Sequence, residues 1–166
     1  MPTRYLLDAN TFIEAKRRYY AFDICPGFWN ALLANHDGRR LWSIDRVRDE
    51  LLRGGVDELT QWVDARVPGS LFLPTADGTV IQNFALMMTW VQNQPQFIPA
   101  AKAEFASVAD GWLAAYAKAR GYTVITHEVA RPDARKRVPL PNVCDAFGVP
   151  YNDTFNMLRD FGSRFI

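Results

Sequence analysis

The chain has 166 residues and a formal charge of +1 at pH 7, because 19 Lys and Arg side chains balance 18 Asp and Glu side chains. Hydrophobic residues make up 49% and charged residues 22%, which excludes a disordered chain, a collagen-like repeat and a disulfide-dense secreted scaffold. The length predicts one domain over residues 1–166. Near-neutral charge argues against a protein that holds long nucleic acid by bulk charge alone, but not against a nuclease that acts on one bond.

The cysteines and the hydropathy pattern predict a cytoplasmic protein. Cys25 and Cys144 lie far apart, and the sequence has no CxxC motif or Cys/His cluster, so a structural zinc site is not expected. We expect two free thiols in a reducing compartment rather than a disulfide. The sequence shows no signal peptide and no run of about 18 apolar residues, the length that a membrane span requires.

Short apolar runs alternate with helical patterns along the chain. Apolar or β-branched runs between turn signals predict strands at residues 5–7, 41–43, 71–74 and 122–126, with short extended pieces at 138–140 and 149–151. Helical spacing of apolar residues, in segments that end at Gly or Pro, predicts helices over residues 11–20, 28–37, 44–53, 56–65, 80–91, 100–120, 142–147 and 153–161. The alternation predicts an α/β fold with a mainly parallel sheet.

Four acidic residues occupy related places in this pattern. Asp8 ends the first strand, Glu50 lies in the helix after the second strand, Asp110 opens the segment DGWLAAYAKARG, and Glu128 follows the strand TVIT. Ligands of open parallel sheets bind outside the carboxyl ends of the strands. Taken singly, each acid also fits a helix cap, a solvated helix face or a loop. Their joint order predicts that Asp8, Glu50 and Asp110 converge at one edge of the sheet.

Such a carboxylate cluster favours metal-assisted hydrolysis. Crowded carboxylates raise one another's pKa, and a divalent cation relieves that repulsion. Oxygen ligands suit Mg²⁺ or Mn²⁺ rather than Zn²⁺, and a metal held by carboxylates activates water and stabilises charge on a phosphoryl group. The sequence contains no GxxxxGK[ST], GxGxxG, HExxH or GxSxG motif, which leaves metal-assisted hydrolysis as the best chemical fit.

Several segments carry a resemblance to a known family. The segments YLLDANTFI, DELLRG and ADGWLAAYAKARGYTVITHE, within residues 4–130, resemble the motifs of PIN-domain ribonucleases. More narrowly, DANTFIEAKRRYY, CPGFW and VPLPNVCDAFGV resemble a PIN-like family known largely as a domain of unknown function. The resemblance implies a PIN-like three-layer α/β/α fold and a metal-dependent endoribonuclease of the toxin type. It also implies an RNA substrate, a cognate antitoxin protein as partner, and a homodimer as a further assembly.

The resemblance assigns roles residue by residue. It implies that Asp8, Glu50, Asp110 and Glu128 are the catalytic metal ligands for Mg²⁺ or Mn²⁺. Hydrogen-bonding support comes from Asn10 and Thr126. The fourth acid of the family is usually Asp, whereas this sequence has Glu128, and Asp133 lies close enough in sequence to substitute for it.

Two other classes of function compete with the nuclease. A PIN-like domain with weakened catalysis would act as an RNA-binding or protein-interaction module. A phosphatase-like hydrolase of small phosphate esters is disfavoured, because the DxD pattern expected at the first strand is absent.

Other polar residues have structural explanations beside functional ones. His127 adjoins Glu128 and is a weak candidate for a general base, His36 is expected in a solvated loop, and Cys144 is expected in the core. The cluster of four basic residues after the last long strand either contacts phosphates or forms a solvated face: Arg131, Arg135, Lys136 and Arg137.

Overall fold

The computed structural model describes residues 2–166 and contains a five-stranded sheet in the order β3-β2-β1-β4-β5. All four strand pairs are parallel. The strands are β1 (Tyr5–Leu7), β2 (Leu41–Ile44), β3 (Phe72–Leu73), β4 (Thr123–Ile125) and β5 (Tyr151–Asn152). Helices flank the sheet in an α/β/α arrangement, so the predicted fold class is confirmed.

Nine α-helices connect and cover these strands within the described residues. They are α1 (Ala9–Glu14), which continues as a π-helical turn (Ala15–Tyr19), α2 (Pro26–Asp37), α3 (Asp45–Arg53), α4 (Glu58–Arg66), α5 (Gly78–Gln92), α6 (Pro99–Ser107), α7 (Asp110–Arg120), α8 (Leu140–Phe147) and α9 (Thr154–Phe161). Four of them begin after an aspartate whose side chain accepts backbone N–H groups of the first turn: Asp8, Asp57, Asp77 and Asp153.

The alanine-rich segment 100–120 is interrupted, so that Asp110 opens a helix, as the sequence predicts. It forms two helices, α6 and α7, because Val108 between them is extended, with φ of −102° and ψ of 169°. Asp110 therefore occupies the first turn of a new helix rather than the middle of a long one. Residues 138–140 were expected to be extended, but Leu140 already begins α8.

His36 is buried within α2, so the expectation of a solvated loop was wrong. Its Nδ1 lies 2.9 Å from the carbonyl oxygen of Leu41, and its Nε2 lies 3.0 Å from Ser70 Oγ. Both ring nitrogens therefore connect α2 to neighbouring segments, and the side chain has a structural role.

The centre of the sheet positions the polar residues that follow it. Strand β1 lies between β2 and β4, and Leu6 and Leu7 are completely buried. A strand that is covered on both faces has a continuous run of apolar residues in its sequence. Asp8 follows directly and is 3% exposed, so a carboxylate enters the interior at the carboxyl edge of the sheet. No helix within residues 2–166 combines the length and apolarity that crossing a membrane demands.

Gly111 permits the close packing of α7 against α5 and α6. A Cβ atom at this position would lie 2.9 Å from Met88 Cε, 3.1 Å from Phe84 Cε2 and 3.2 Å from Phe105 Cε2. Phe84 has little freedom to move, because its ring stacks on Trp112 at 3.8 Å between centroids. The glycine next to Asp110 therefore sets how closely the helix that carries this acid approaches its neighbours.

We expect Gly111→Val to lower the free energy of unfolding by about 1–3 kcal/mol, the usual cost of overpacking a core. The matched control is Gly78→Val at the start of α5, where a Cβ would meet no atom within 4 Å. This control should change stability by about 0.5 kcal/mol or less. Urea denaturation of both variants measures the difference, and equal losses would show that the packing at Gly111 is not tight.

Candidate metal-binding active site

The carboxyl edge of the sheet collects the four acids that the sequence singles out. Strands β1 and β4 pair in parallel, with Leu7 opposite Ile125, so the segments that follow them leave at the same edge. Asp8 comes directly after β1, and Glu128 is the third residue past β4. Asp110 and Glu50 reach this edge from α7 and α3, and the charges of Asp8, Glu128 and Glu50 all act on Asp110.

Asp8 is fixed by hydrogen bonds on the edge of β4. Its Oδ1 accepts the backbone N–H of Thr11 at 2.7 Å, and Thr11 Oγ1 lies at the same distance. Its own N–H donates to the carbonyl of Ile125 at 3.1 Å. Burial raises the pKa of Asp8, whereas hydrogen bonds from Thr126 and Thr11 lower it. The carboxylate thus caps α1 and faces the other acids at once.

Glu50 joins α3 to the start of α7. The buried side chains of Val47 and Leu51 hold α3 against the core and fix the direction of Glu50. Its Oε1 accepts the backbone N–H of Ala109 at 2.6 Å, directly before Asp110. This bond satisfies one of the free donors at the N-terminus of α7, and it places two carboxylates side by side.

Asp110 is exposed to the negative charges of the other three acids. Desolvation by burial, followed by the negative charges of Asp8, Glu128 and Glu50, raises its pKa to about 8, against an opposing effect of Arg137. Its side chain is still 18% exposed, so it remains accessible to solvent species. Without an added cation, most of the Asp110 side chains hold a proton at neutral pH.

Glu128 lies at the rim of the cluster and is already engaged. Its Oε2 accepts the backbone N–H of Leu140 at 2.8 Å, and its Oε1 contacts Nη2 of Arg137. The same Nη2 lies 4.0 Å from Asp110 Oδ2. The sequence analysis singled out Arg137 only as one of four basic residues, because no local pattern distinguishes it from its neighbours.

The predicted supporting residues lie in different environments. Thr126 is buried, hydrogen-bonds to Asp8, and accepts the N–H of Glu128 at 3.1 Å. Asn10 is exposed on the first turn of α1, and Thr11 supplies the bonds to Asp8 instead. Thr11 stands three residues after an N-cap aspartate, a spacing that identifies such contacts in a sequence.

Asp133 is exposed in the loop between β4 and α8. The negative charges that raise the pKa of Asp110 come from Asp8, Glu128 and Glu50. Among the two candidates for the fourth acid, Glu128 is therefore the one that the structure brings to the cluster.

The oxygen atoms of the four acids are chemically suited to a hard divalent cation. The donors are carboxylate oxygens, the ligands that Mg²⁺ and Mn²⁺ prefer, and burial together with the charges of Asp8, Glu128 and Glu50 raises the pKa of Asp110. Within residues 2–166, however, no three His, Cys, Asp or Glu side chains form a ready-made metal-binding group. Cation binding would therefore accompany side-chain adjustment and release of the Asp110 proton.

Two reactive side chains near the cluster, Cys144 and His127, do not belong to it. Burial raises the pKa of Cys144 to about 12, so it carries no thiolate at neutral pH. His127 Nε2 lies 3.1 Å from Thr154 Oγ1, and its ring packs against Tyr19 and Phe155. Neither geometry gives the residue a direct part in the carboxylate cluster.

A cavity of about 890 Å³ lies at the opposite, amino edge of the sheet, beside the C-terminal ends of α2, α7 and α8. Four basic residues line it: Arg4, Arg39, Arg40 and Lys118. Helix C-termini attract cations, and Arg4 donates to the carbonyl oxygens of Arg120 and Gly121. The basic lining is thus explained by the helix ends, and this cavity contains none of the clustered acids.

Two solved structures share the fold of this chain. The crystal structure of FitAcB from Neisseria gonorrhoeae is 18% identical, with a TM-score of 0.55, and the match covers 89% of this chain and 95% of that one. The second is the crystal structure of VapBC2 from Rickettsia felis, bound to a DNA fragment from its promoter. Its sequence is 13% identical to this chain, and the TM-score is 0.55. That match covers 91% of this chain and 98% of the other. These likenesses support the three-layer α/β/α fold expected from the sequence.

A comparison with curated proteins gave no match. A family model described as a domain of unknown function, DUF4411, matches residues 5–165, which include all four acids of the cluster. Because this match extends over nearly the whole length, the chain belongs to the DUF4411 family.

Proposed function

We propose that this protein is a metal-dependent endoribonuclease that hydrolyses RNA phosphodiesters at a Mg²⁺ or Mn²⁺ site. The observation that supports the proposal is the environment of Asp110, where burial and the negative charges of Asp8, Glu128 and Glu50 raise the pKa of this side chain to about 8. Crowded carboxylates destabilise a folded protein unless a cation offsets their repulsion. A protein that keeps part of such a cluster accessible to solvent, as the 18% exposure of the Asp110 side chain shows, is well suited to bind a divalent cation there.

The chain's own residues would prepare this site for hydrolysis. Thr11 and Thr126 hold Asp8, and Ala109 holds Glu50, so two carboxylates are oriented before a cation arrives. Asp110 would give up its proton to become a further ligand. When bound, the metal supplies an activated water and stabilises charge on the phosphoryl group. Glu128 as a fourth ligand, with Asn10 as a supporting residue, remains a prediction.

The toxin half of a toxin–antitoxin pair is the biological setting we propose. The fold likeness to the FitAcB and VapBC2 structures supports it, together with the sequence motifs of PIN-type ribonucleases. An antitoxin protein as partner, a homodimer and a cytoplasmic location belong to the same proposal.

A PIN-like RNA-binding or protein-interaction module with weakened catalysis is the second candidate. The observation that favours it is Glu128, which takes the place of the usual Asp and is engaged by Arg137 and Leu140. Metal-dependent cleavage by the purified protein decides between the two candidates.

We expect Asp110→Asn to raise the melting temperature in EDTA at pH 8. The folded-state pKa of Asp110 is about 8 against 3.8 ordinarily, so its stabilising contribution is complete below pH 3.8 and is lost as the pH rises through 8. Removing the charge should stabilise the protein by about 0.5–2 kcal/mol at pH 8. The gain should shrink towards pH 4, where the wild-type carboxyl is neutral too.

Thermal melting with Mg²⁺ completes this experiment. Added Mg²⁺ should raise the melting temperature of the wild type but not that of Asp110→Asn, because the variant has lost a ligand. Asp49→Asn, an exposed position in α3, serves as the control for loss of one negative charge. If Asp110→Asn melts lower than the wild type in EDTA, Asp110 acts mainly in starting α7.

We expect Glu50→Gln to keep the fold and lose about 100-fold or more of the metal-dependent cleavage rate, which corresponds to about 2.7 kcal/mol of transition-state stabilisation. The glutamine oxygen can still accept the N–H of Ala109, so the start of α7 stays in place. Cleavage of a labelled RNA with Mg²⁺ or Mn²⁺ gives the rate, and circular dichroism checks the fold. The control is Glu58→Gln on the exposed first turn of α4. An unchanged rate in Glu50→Gln would remove Glu50 from the site.

A further inference from the structure

Glu128 uses both carboxylate oxygens in contacts within the protein. Oε2 accepts the N–H of Leu140 at 2.8 Å, and Oε1 contacts Arg137. Glu50, within the described part of the chain, uses only Oε1, in its bond to Ala109. Glu128 is therefore less available than Glu50 as a cation ligand, because binding a metal would require breaking an ion pair and a hydrogen bond at a helix start.

The guanidinium of Arg137 stands between the carboxylate cluster and solvent. Its Nη2 is 4.0 Å from Asp110 Oδ2, its Nη1 is 4.0 Å from Glu104 Oε1, and the side chain is 51% exposed. An arginine has five N–H donors, and Glu128 occupies only part of them. The remaining donors are open to a ligand that lies next to the acids.

The loop that carries Arg137 is held in place along its length. Asn142 bonds to the N–H and the carbonyl of Arg131, both at 2.8 Å. Gln96 Nε2 donates to the carbonyls of Pro132 and Ala134 at 2.9 Å. The N–H of Ile98 donates to the carbonyl of Arg135 at 3.0 Å. A cation presented by such a loop loses little conformational entropy on binding a ligand.

The same loop lines one side of the acidic cluster with positive charge. Three further cations of the loop are exposed and, within residues 2–166, have no carboxylate within 4.0 Å: Arg131, Arg135 and Lys136. A polyanion that approaches four carboxylates needs such neighbouring cations to offset the repulsion. Arg137 is the cation of this loop that lies closest to the acids, and its planar guanidinium matches a phosphate geometrically.

We propose that Arg137 binds the phosphate of the RNA strand next to the carboxylate cluster, and that Glu128 is the residue that positions Arg137 rather than a metal ligand. This inference rests on the proposed ribonuclease function. This role accounts for a glutamate at the position where the family usually has aspartate, since Glu128 connects the end of β4 to both the basic loop and the start of α8.

RNA binding tests the role of Arg137. Fluorescence anisotropy of a labelled oligoribonucleotide in EDTA should show about tenfold weaker binding for Arg137→Gln, as expected for loss of a charge-assisted hydrogen bond. The slope of log K against log salt should become shallower by about 0.7. Arg137→Lys keeps the charge and should retain part of the affinity. Lys118→Gln, at the far end of α7, removes one positive charge as the control and should bind as the wild type does.

Metal binding tests the role of Glu128. Calorimetric titration with Mn²⁺ should give at least tenfold weaker binding for Glu50→Gln, the size of effect expected on losing a ligand. Glu128→Gln should bind Mn²⁺ within about threefold of the wild type, yet weaken RNA binding as Arg137→Gln does. The double variant should bind RNA no more weakly than Arg137→Gln alone, because both changes act on one contact.

Each result either supports or overturns the inference. If Glu128→Gln weakens Mn²⁺ binding as strongly as Glu50→Gln, Glu128 is a ligand and the positioning role is wrong. If Arg137→Gln binds RNA as well as the wild type, with an unchanged salt slope, the phosphate contact is wrong. A wild type that binds neither Mn²⁺ nor RNA would overturn the proposed function together with this inference.

Discussion

The parallel pairing of β1 with β4 is the constraint on which the site depends. With Leu7 opposite Ile125, the chain leaves both strands at the same edge, and Asp8 and Glu128 follow within three residues. The apolar run of β1 is buried at the centre of the sheet, so a carboxylate placed directly after it cannot be fully solvated. Burial and shared position together create the electrostatic stress that a divalent cation would relieve.

Hydrogen bonds to the backbone decide which of these carboxylates are held and which are strained. Asp8 and Glu50 each start or support a helix through such bonds. Asp110 is desolvated and surrounded by like charges, so its pKa rises, as burial also raises the pKa of Asp8. The cluster therefore combines oriented acids with one that changes its protonation state readily, an arrangement suited to taking up a cation near neutral pH.

Arg137 introduces the opposite charge at the rim of the same cluster. It contacts Glu128 and faces Asp110, while its loop is tied to the rest of the chain by Asn142 and Gln96. A negative centre with a positive rim suits a substrate that carries its own negative charge and reaches the centre through a bound cation. The net charge of the chain is close to zero. At this site, however, the negative and the positive side chains are grouped separately.

The sequence by itself determined the parallel α/β class, the strand-end position of Asp8 and the order of the acids, because these follow from local apolar runs and from helix-capping chemistry. It did not determine the bond from Ala109 to Glu50 or the selection of Arg137 among four basic residues. The bond between Ala109 and Glu50 joins positions that are 59 residues apart, and Arg137 faces Asp110 from a different loop. Only tertiary packing brings such groups within hydrogen-bonding distance, which is why no local pattern in the sequence specifies them.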